Sequence, residues 1–186
     1  MKAISETFKI VICGEGGQGV QSIAKIIALA AFEQGKKAVY VPYFSTEKRG
    51  GVTEAFAQIG NFVPAYPKFA KADLWVVLSQ RAIERIEEFL KDGTEIIVNS
   101  YLVKDLSRIA RWHPKEIDAG RIAKEEFKKP RVFNMIVMGA MVKRIPGLDK
   151  DKFEAALDHV FASKYAKDPS LKELNRKAFE KGYALA

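Results

Sequence analysis

Two short glycine-bearing stretches hold the residue types from which chemistry could be built. GEGGQGVQS places Gly14, Gly16, Gly17 and Gly19 within six residues and sets Gln18 among them. STEKRGG brings Lys48 and Arg49 directly before Gly50 and Gly51. Glycine lets backbone N–H groups come close to a ligand and take positive φ, and a helix starting at such a loop aims free N–H groups and partial positive charge at whatever lies above it. That chemistry is anion binding. Gln18 adds a neutral donor and acceptor at the loop's tip, and Arg49 adds a planar five-donor fork suited to phosphate or carboxylate. The bland reading of the first stretch is that its glycines only let a helix and a strand pack closely. For the second it is a solvated turn with an incidental run of charge. No residue is assigned as a catalytic acid, base or nucleophile. Cys13, inside an apolar run, reads as a small buried residue rather than a reactive thiolate.

The spacing Gly14-x-Gly16-x-x-Gly19 between a strand and a helix fits the dinucleotide fingerprint, which also needs an acidic residue about 20 positions on, at the end of the second strand. Val41, Pro42, Tyr43 and Phe44 stand there. Glu33 has the right count but precedes Gly35 and the strand, which puts it at a helix end far from a ribose. NAD binding therefore lacks its second half, while an anion at the loop does not depend on it.

The elements that must hold these loops are readable from period. FKIVIC (8–13) and KAVYVPY (37–43) read as strands; between them Val20, Ile23, Ala24, Ile27, Ala28 and Ala31 fall on one helix face, ended by Gly35. Strand, glycine loop, helix, strand is a βαβ unit. The KRGG turn follows its second strand, so both loops are expected at the carboxyl edge of the sheet, bordering one crevice. VTEAFAQIG and DLWVVLS (73–79) read as further strands, RAIERIEEFLKDG as an amphipathic helix ended by Gly93, and TEIIVNS (94–100) as the next strand. Residues 101–118 suggest a short helix and an edge strand. From AGRIAKEEF onward the chain is helical, through FNMIVMGAMVKRI, DKDKFEAALDHVFAS and DPSLKELNRKAFEKGYA. The fold class is α/β: a mostly parallel, doubly wound, Rossmann-like sheet with a helical C-terminal portion.

Composition sets the bounds. The chain has 186 residues, 48% of them hydrophobic, enough for one sizeable core, and residues 1–186 are expected to form a single domain. No apolar run approaches the roughly 18 residues of a membrane span, and MKAISETFK carries no signal-peptide core, so a cytoplasmic location away from membranes is expected. One cysteine with only His113 and His159 excludes a disulfide and a Cys/His metal cluster; no metal site is assigned. The net charge of +8, from 31 Lys+Arg against 23 Asp+Glu, is spread among acids as in RAIERIEEFLKD, with no basic stripe interleaved with aromatics. Nucleic acid is not an expected partner; a phosphate-rich small molecule or an acidic protein is compatible with that charge.

Taken together, GEGGQGVQSIAK, AAFEQGKKAVYVP, STEKRGG, AFAQIG, KADLWVVLSQ and FNMIVMGAMV resemble the gamma subunit of the 2-oxoacid:ferredoxin oxidoreductases over nearly the whole chain. In that family a GGQG loop is paired with a downstream RGG-type loop, and an Asn-Met helix followed by two further helices is the usual ending. Asn134-Met135 and the tail NRKAFEKGY occupy those places. The resemblance implies a multisubunit enzyme that decarboxylates a 2-oxoacid on thiamine diphosphate. Electrons pass through iron–sulfur clusters to ferredoxin, and coenzyme A receives the acyl group. It implies alpha, beta and ferredoxin-like delta subunits as partners, which carry the thiamine diphosphate and the clusters. Coenzyme A, with its pyrophosphate and ribose phosphate, is the ligand that suits Gly14, Gly16, Gly17, Gln18 and Gly19 together with Arg49, Gly50 and Gly51; the alternative within the family is a loop that buttresses the active site on neighbouring subunits. The family's pyruvate branch tends towards Arg-Arg-Gly-Ala-Pro at the second loop. Lys48-Arg49-Gly50-Gly51-Val52 leans instead towards 2-oxoglutarate-type or indolepyruvate-type enzymes. A reading from another class is a stand-alone nucleotide-binding regulatory module.

Overall fold

The computed structural model describes residues 7–43, 51–61 and 67–186. Its centre is β1 (Phe8–Glu15), in which Ile10, Val11, Ile12 and Cys13 are each 0% exposed. Successive side chains of a strand point to opposite faces. Ile10 and Ile12 accordingly join one apolar cluster, Val11 and Cys13 another, and the strand is covered on both sides. Double coverage is why it reads as an unbroken apolar run.

Six strands lie in the order β2 (Lys37–Tyr43), β3 (Val52–Gly60), β1, β4 (Leu74–Val77), β5 (Glu95–Asn99), β6 (Lys115–Ile117). β1, β4, β5 and β6 are parallel neighbours. The α/β class and the mostly parallel sheet are as expected. The difference lies at one edge, where β3 runs antiparallel to both β2 and β1 and separates the two strands of the βαβ unit. Antiparallel strands close in sequence pair directly, whereas β1 and β2 must be joined by a crossover, so β3 takes the place between them. The register sets Glu15 opposite Val52 and Tyr43 opposite Glu54, which brings the end of β1, the end of β2 and the start of β3 to one edge of the sheet.

α1 (Val20–Glu33) buries the expected face, including Val20, Ile23, Ala24 and Ile27, and stops before Gly35. The long helix expected over RAIERIEEFLKDG is instead one α-turn, α2 (Ile83–Ile86), between the 3-10 turns Gln80–Ala82 and Glu87–Phe89. Its carbonyls are drawn off the helical ladder: Phe89 O accepts from the Ala72 N–H at 2.9 Å, and Lys71 Nζ donates to Glu88 O and Leu90 O at 2.9 and 2.8 Å. Residues 101–118 hold a 3-10 turn, Ala110–Trp112, and the edge strand β6. The rest is helical: α3 (Ala119–Glu125), α4 (Phe133–Arg144), α5 (Lys150–Lys167) and α6 (Ser170–Leu185). α1 and α3 to α6 pack on the Ile10/Ile12 face, while α2 and its flanking turns cover the Val11/Cys13 face, so the sheet is wound on both sides but unevenly. Among the described residues no helix is long and apolar enough to cross a membrane.

α4 is buried continuously from Met135 to Val142 and forms the axis of the helical layer. α6 reaches its backbone through two glycines. A Cβ at Gly139 would run into Phe179 O, and one at Gly182 into Ile136 O. Beside them the Phe153 and Phe179 rings stack with centroids 5.1 Å apart and planes 9° apart. Gly182→Ala should therefore destabilise the chain although alanine is the better helix former by about 1 kcal/mol. Overpacking of about 1–3 kcal/mol or more, acting against rigid backbone, outweighs that gain. Thermal unfolding should show Tm lowered by about 2–4 °C for each net kcal/mol lost; an unchanged or raised Tm would mean that α6 does not dock this closely.

Candidate functional site

α1 follows β1 onto one face of the sheet and α2 follows β4 onto the other. Where connections diverge in this way, an open α/β sheet leaves a crevice at the carboxyl ends of its strands. The glycine loop lies there, since Leu78, just past β4, donates its N–H to Cys13 O at 2.8 Å and so brings the two strand ends level.

The four glycines divide into two pairs. Gly14 is buried; a Cβ there would collide with Gln18 Oε1 and come within 2.9 Å of Leu78 Cβ. Gly19 caps α1 at φ 79°, and a Cβ there would run into Asn134 Nδ2. These two serve close packing, as the bland reading holds. Gly16 and Gly17 are exposed. Gly17 has φ 95°, a conformation that favours glycine, and the space its Cβ would enter is open. α1 has neither a side-chain cap nor an acidic residue in its first turn, so its own sequence leaves the free N–H groups and partial positive charge of its start without an offset. Gln18 works within the loop: its Oε1 accepts from the Glu15 N–H at 2.7 Å, and its own N–H donates to Glu15 O at 3.1 Å.

The second stretch meets the first through Gly51, whose carbonyl accepts from the Gly16 N–H at 3.2 Å. Lys48, Arg49 and Gly50 lie outside the described residues. Glu33, discounted as a ribose ligand, is the last residue of α1, with its Oε2 at 3.5 Å from His159 Nδ1.

Several polar groups at this edge are not evident from sequence pattern. Gln21, in the first turn of α1, donates through Nε2 to Glu54 O at 2.8 Å, Thr53 Oγ1 at 3.0 Å and Tyr43 O at 3.2 Å. Its Oε1 accepts from the Tyr40 hydroxyl at 2.8 Å, and burial lifts that phenol above its ordinary range, which keeps the donor protonated. One side chain thus ties the glycine-loop helix to both strands that flank the second stretch. Ser79, 3% exposed, has a hydroxyl without a partner among the described residues, and so has Asn134 Oδ1. A polar residue directly after an apolar strand was the one available signal for Ser79. Glu54 is 9% exposed; burial raises its carboxyl, and the Arg85 charge opposes that shift.

The arrangement can hold an anion and offers little else. Among the described residues no three His, Cys, Asp or Glu side chains are grouped to bind a metal. Burial pushes the Cys13 thiol up, and Trp75 Nε1 donates to its sulfur at 3.1 Å. A cleft of about 640 Å3 between Thr94, Trp112 and Arg144 holds none of the glycine-loop residues. Two outcomes are expected. Cys13 should not react with a disulfide reagent at pH 8 in the native chain but react fully on unfolding; fast native labelling would refute its burial. Gln21→Leu should cost about 1–3 kcal/mol and speed amide exchange in β2 and β3 more than in β4; uniform exchange behaviour would mean that Gln21 does not clamp the hairpin.

Residues 9–185 match the family described as pyruvate ferredoxin/flavodoxin oxidoreductase. The 2-oxoglutarate synthase subunit KorC of Methanocaldococcus jannaschii is 32% identical over 181 residues, which span 96% of this chain and 93% of that one. The keto/oxoacid ferredoxin oxidoreductase gamma subunit of Geobacter sulfurreducens superposes with a TM-score of 0.80 at 28% identity, over 96% of this chain and 98% of that one. The 2-oxoglutarate:ferredoxin oxidoreductase of Magnetococcus marinus, solved with 2-oxoglutarate, coenzyme A and succinyl-CoA bound, shares the fold at a TM-score of 0.86 and 23% identity, over 98% of this chain and 31% of that one. The chain therefore belongs to the pyruvate ferredoxin/flavodoxin oxidoreductase family, as a gamma-type chain.

Proposed function

We propose that this chain, as the gamma-type subunit of a 2-oxoacid:ferredoxin oxidoreductase, holds the phosphate groups of coenzyme A at its carboxyl-edge crevice. The observation that carries the reading is Gly17: exposed, at positive φ, with open space above it and an uncapped helix N-terminus behind it. Backbone N–H groups of the loop take a diphosphate oxygen without a side chain in the way. The bond from Gly16 sets Gly51 beside the loop, and in this reading Arg49 supplies the fixed positive charge. Thiamine diphosphate and the iron–sulfur clusters belong to alpha-, beta- and delta-type partners, and ferredoxin is the acceptor of the assembly. Thiamine diphosphate supplies the carbanion chemistry of decarboxylation there. This chain binds and orients the acyl acceptor, in the cytoplasm. The coenzyme A bound to the Magnetococcus marinus enzyme supports the ligand class.

A second reading, in which the loop only buttresses neighbouring subunits, draws support from Gly14 and Gly19, whose packing needs no ligand. Kinetics of the assembled complex separate the two. Arg49→Ala should leave thermal stability within about 0.5 kcal/mol. It should raise the apparent KM for coenzyme A at least about tenfold, the order expected for a charge-assisted contact worth about 1.5–3 kcal/mol. Gly17→Ala should raise it too, at a strain cost of about 1–2 kcal/mol. Oxoacid-driven cluster reduction without coenzyme A should persist in both variants. A normal KM with impaired cluster reduction would assign the crevice to subunit contact instead.

A further inference from the structure

On the other side of α1 from the β2–β3 hairpin, α1, α4, α5 and α6 enclose a cleft of about 510 Å3. Such a volume falls within the range of about 300–1,000 Å3 usual for small-molecule sites. Its floor is buried and apolar, made by Ile23, Ile26, Met135 and Met138, and its walls are the half-buried Phe161 and Leu174. The exposed rim carries Lys129, Arg131 and Lys164 and no acid. Elsewhere in the chain Lys91, Arg108, Arg144, Lys172 and Arg176 each have a carboxylate partner. None of the three rim cations is ion-paired with a described residue. Lys164 Nζ stands instead over the Phe161 ring, 5.2 Å from its centroid, at the boundary of wall and rim.

Asn134 joins this cleft to the glycine loop. It lines the cleft, its Nδ2 abuts Gly19, and its Oδ1 is buried without a partner among the described residues. A buried acceptor left unpaired costs about 1–3 kcal/mol, a penalty that a ligand donor would remove. Across the cleft, Asn175 Nδ2 donates to the Tyr165 hydroxyl at 3.0 Å.

We propose that this cleft binds an amphipathic small-molecule acid: an apolar body on the Met135/Met138 floor, a carboxylate or phosphate at the Lys129, Arg131 and Lys164 rim, and a hydroxyl or amide donor to Asn134 Oδ1. Apolar burial supplies affinity, the cations select the charged end, and the Asn134 contact fixes the side chain that supports Gly19. Occupancy of the cleft therefore bears on the geometry of the loop. The site is separate from the carboxyl-edge crevice and does not rest on the identity of the ligand there.

The full chain, labelled with 13C at its methionine methyls, can be titrated with N-octanoylglycine, which carries an apolar tail, an amide N–H and a carboxylate. Saturable shifts are expected at Met135 and Met138, with Met141, buried in α4 and outside the cleft lining, as the internal reference. The neutral methyl ester should bind at least tenfold more weakly. The double variant Arg131→Gln, Lys164→Gln, which alters only exposed side chains, should reduce affinity for the acid to that of the ester and leave the ester unaffected. Absence of saturable shifts at Met135 and Met138 would leave the cleft to protein contacts and overturn the proposal. So would equal binding of acid and ester, or an unaltered affinity in the double variant.

Discussion

Between Glu15, the last residue of β1, and Val20, the first of α1, four residues must turn the chain while the strand behind and the helix ahead are both buried. Everything at the carboxyl edge depends on that constraint. The turn is tight enough that Gln18 folds back onto the Glu15 N–H, and Gly14 has no room for a side chain beneath it. It is close enough to α4 that Gly19 meets Asn134. What the packing leaves over, at Gly16 and Gly17, is bare backbone facing outward at the start of a helix. The candidate site is the residue of a packing problem: the same glycines that let sheet and helical layer approach leave their neighbours available to an anion.

Much of this could be read from the residues, for an identifiable reason. β1, α1, β4, β5 and the C-terminal helices each bury a face whose period is fixed locally, so Ile10 to Cys13 or Val20, Ile23 and Ile27 announce themselves. The glycine loop is a local feature too. What escaped depends on partners remote in sequence. β3 reads as a strand, but its place between β2 and β1 is a matter of pairing rather than of its own composition. RAIERIEEFLKDG has a helical pattern that Ala72 and Lys71 override by taking its last carbonyls. Gln21, Ser79 and Asn134 are ordinary polar residues until the fold brings them to one edge. Gln18 was assigned to the right loop, but its acceptor turns inward, which spacing alone does not disclose.

The chain is also informative in what it does not assemble. Its one cysteine is sealed behind Trp75, and its buried carboxyl, Glu54, sits among opposing charges from Arg85 and Lys68. Most of its ion pairs are at the surface, where each contributes about 0–1 kcal/mol, so stability rests on the two apolar clusters and on the glycine contacts of α4 and α6. Such a molecule suits presentation of a rigid backbone loop to chemistry performed by others.

The sheet order has a consequence for how the chain is made. β1 precedes both its neighbours, β3 and β4, in the chain, and the helices that cover its Ile10/Ile12 face are complete only with α6. Its edges are filled once β4 is made, but until α6 is added the cover of that face is incomplete. Contacts of such wide sequence separation form slowly and leave apolar surface exposed in the interim. The fold should therefore lock only once α6 is available, with β1 among the last elements to be fixed, and with a demand on chaperones that falls only when the helices α4 to α6 have been added.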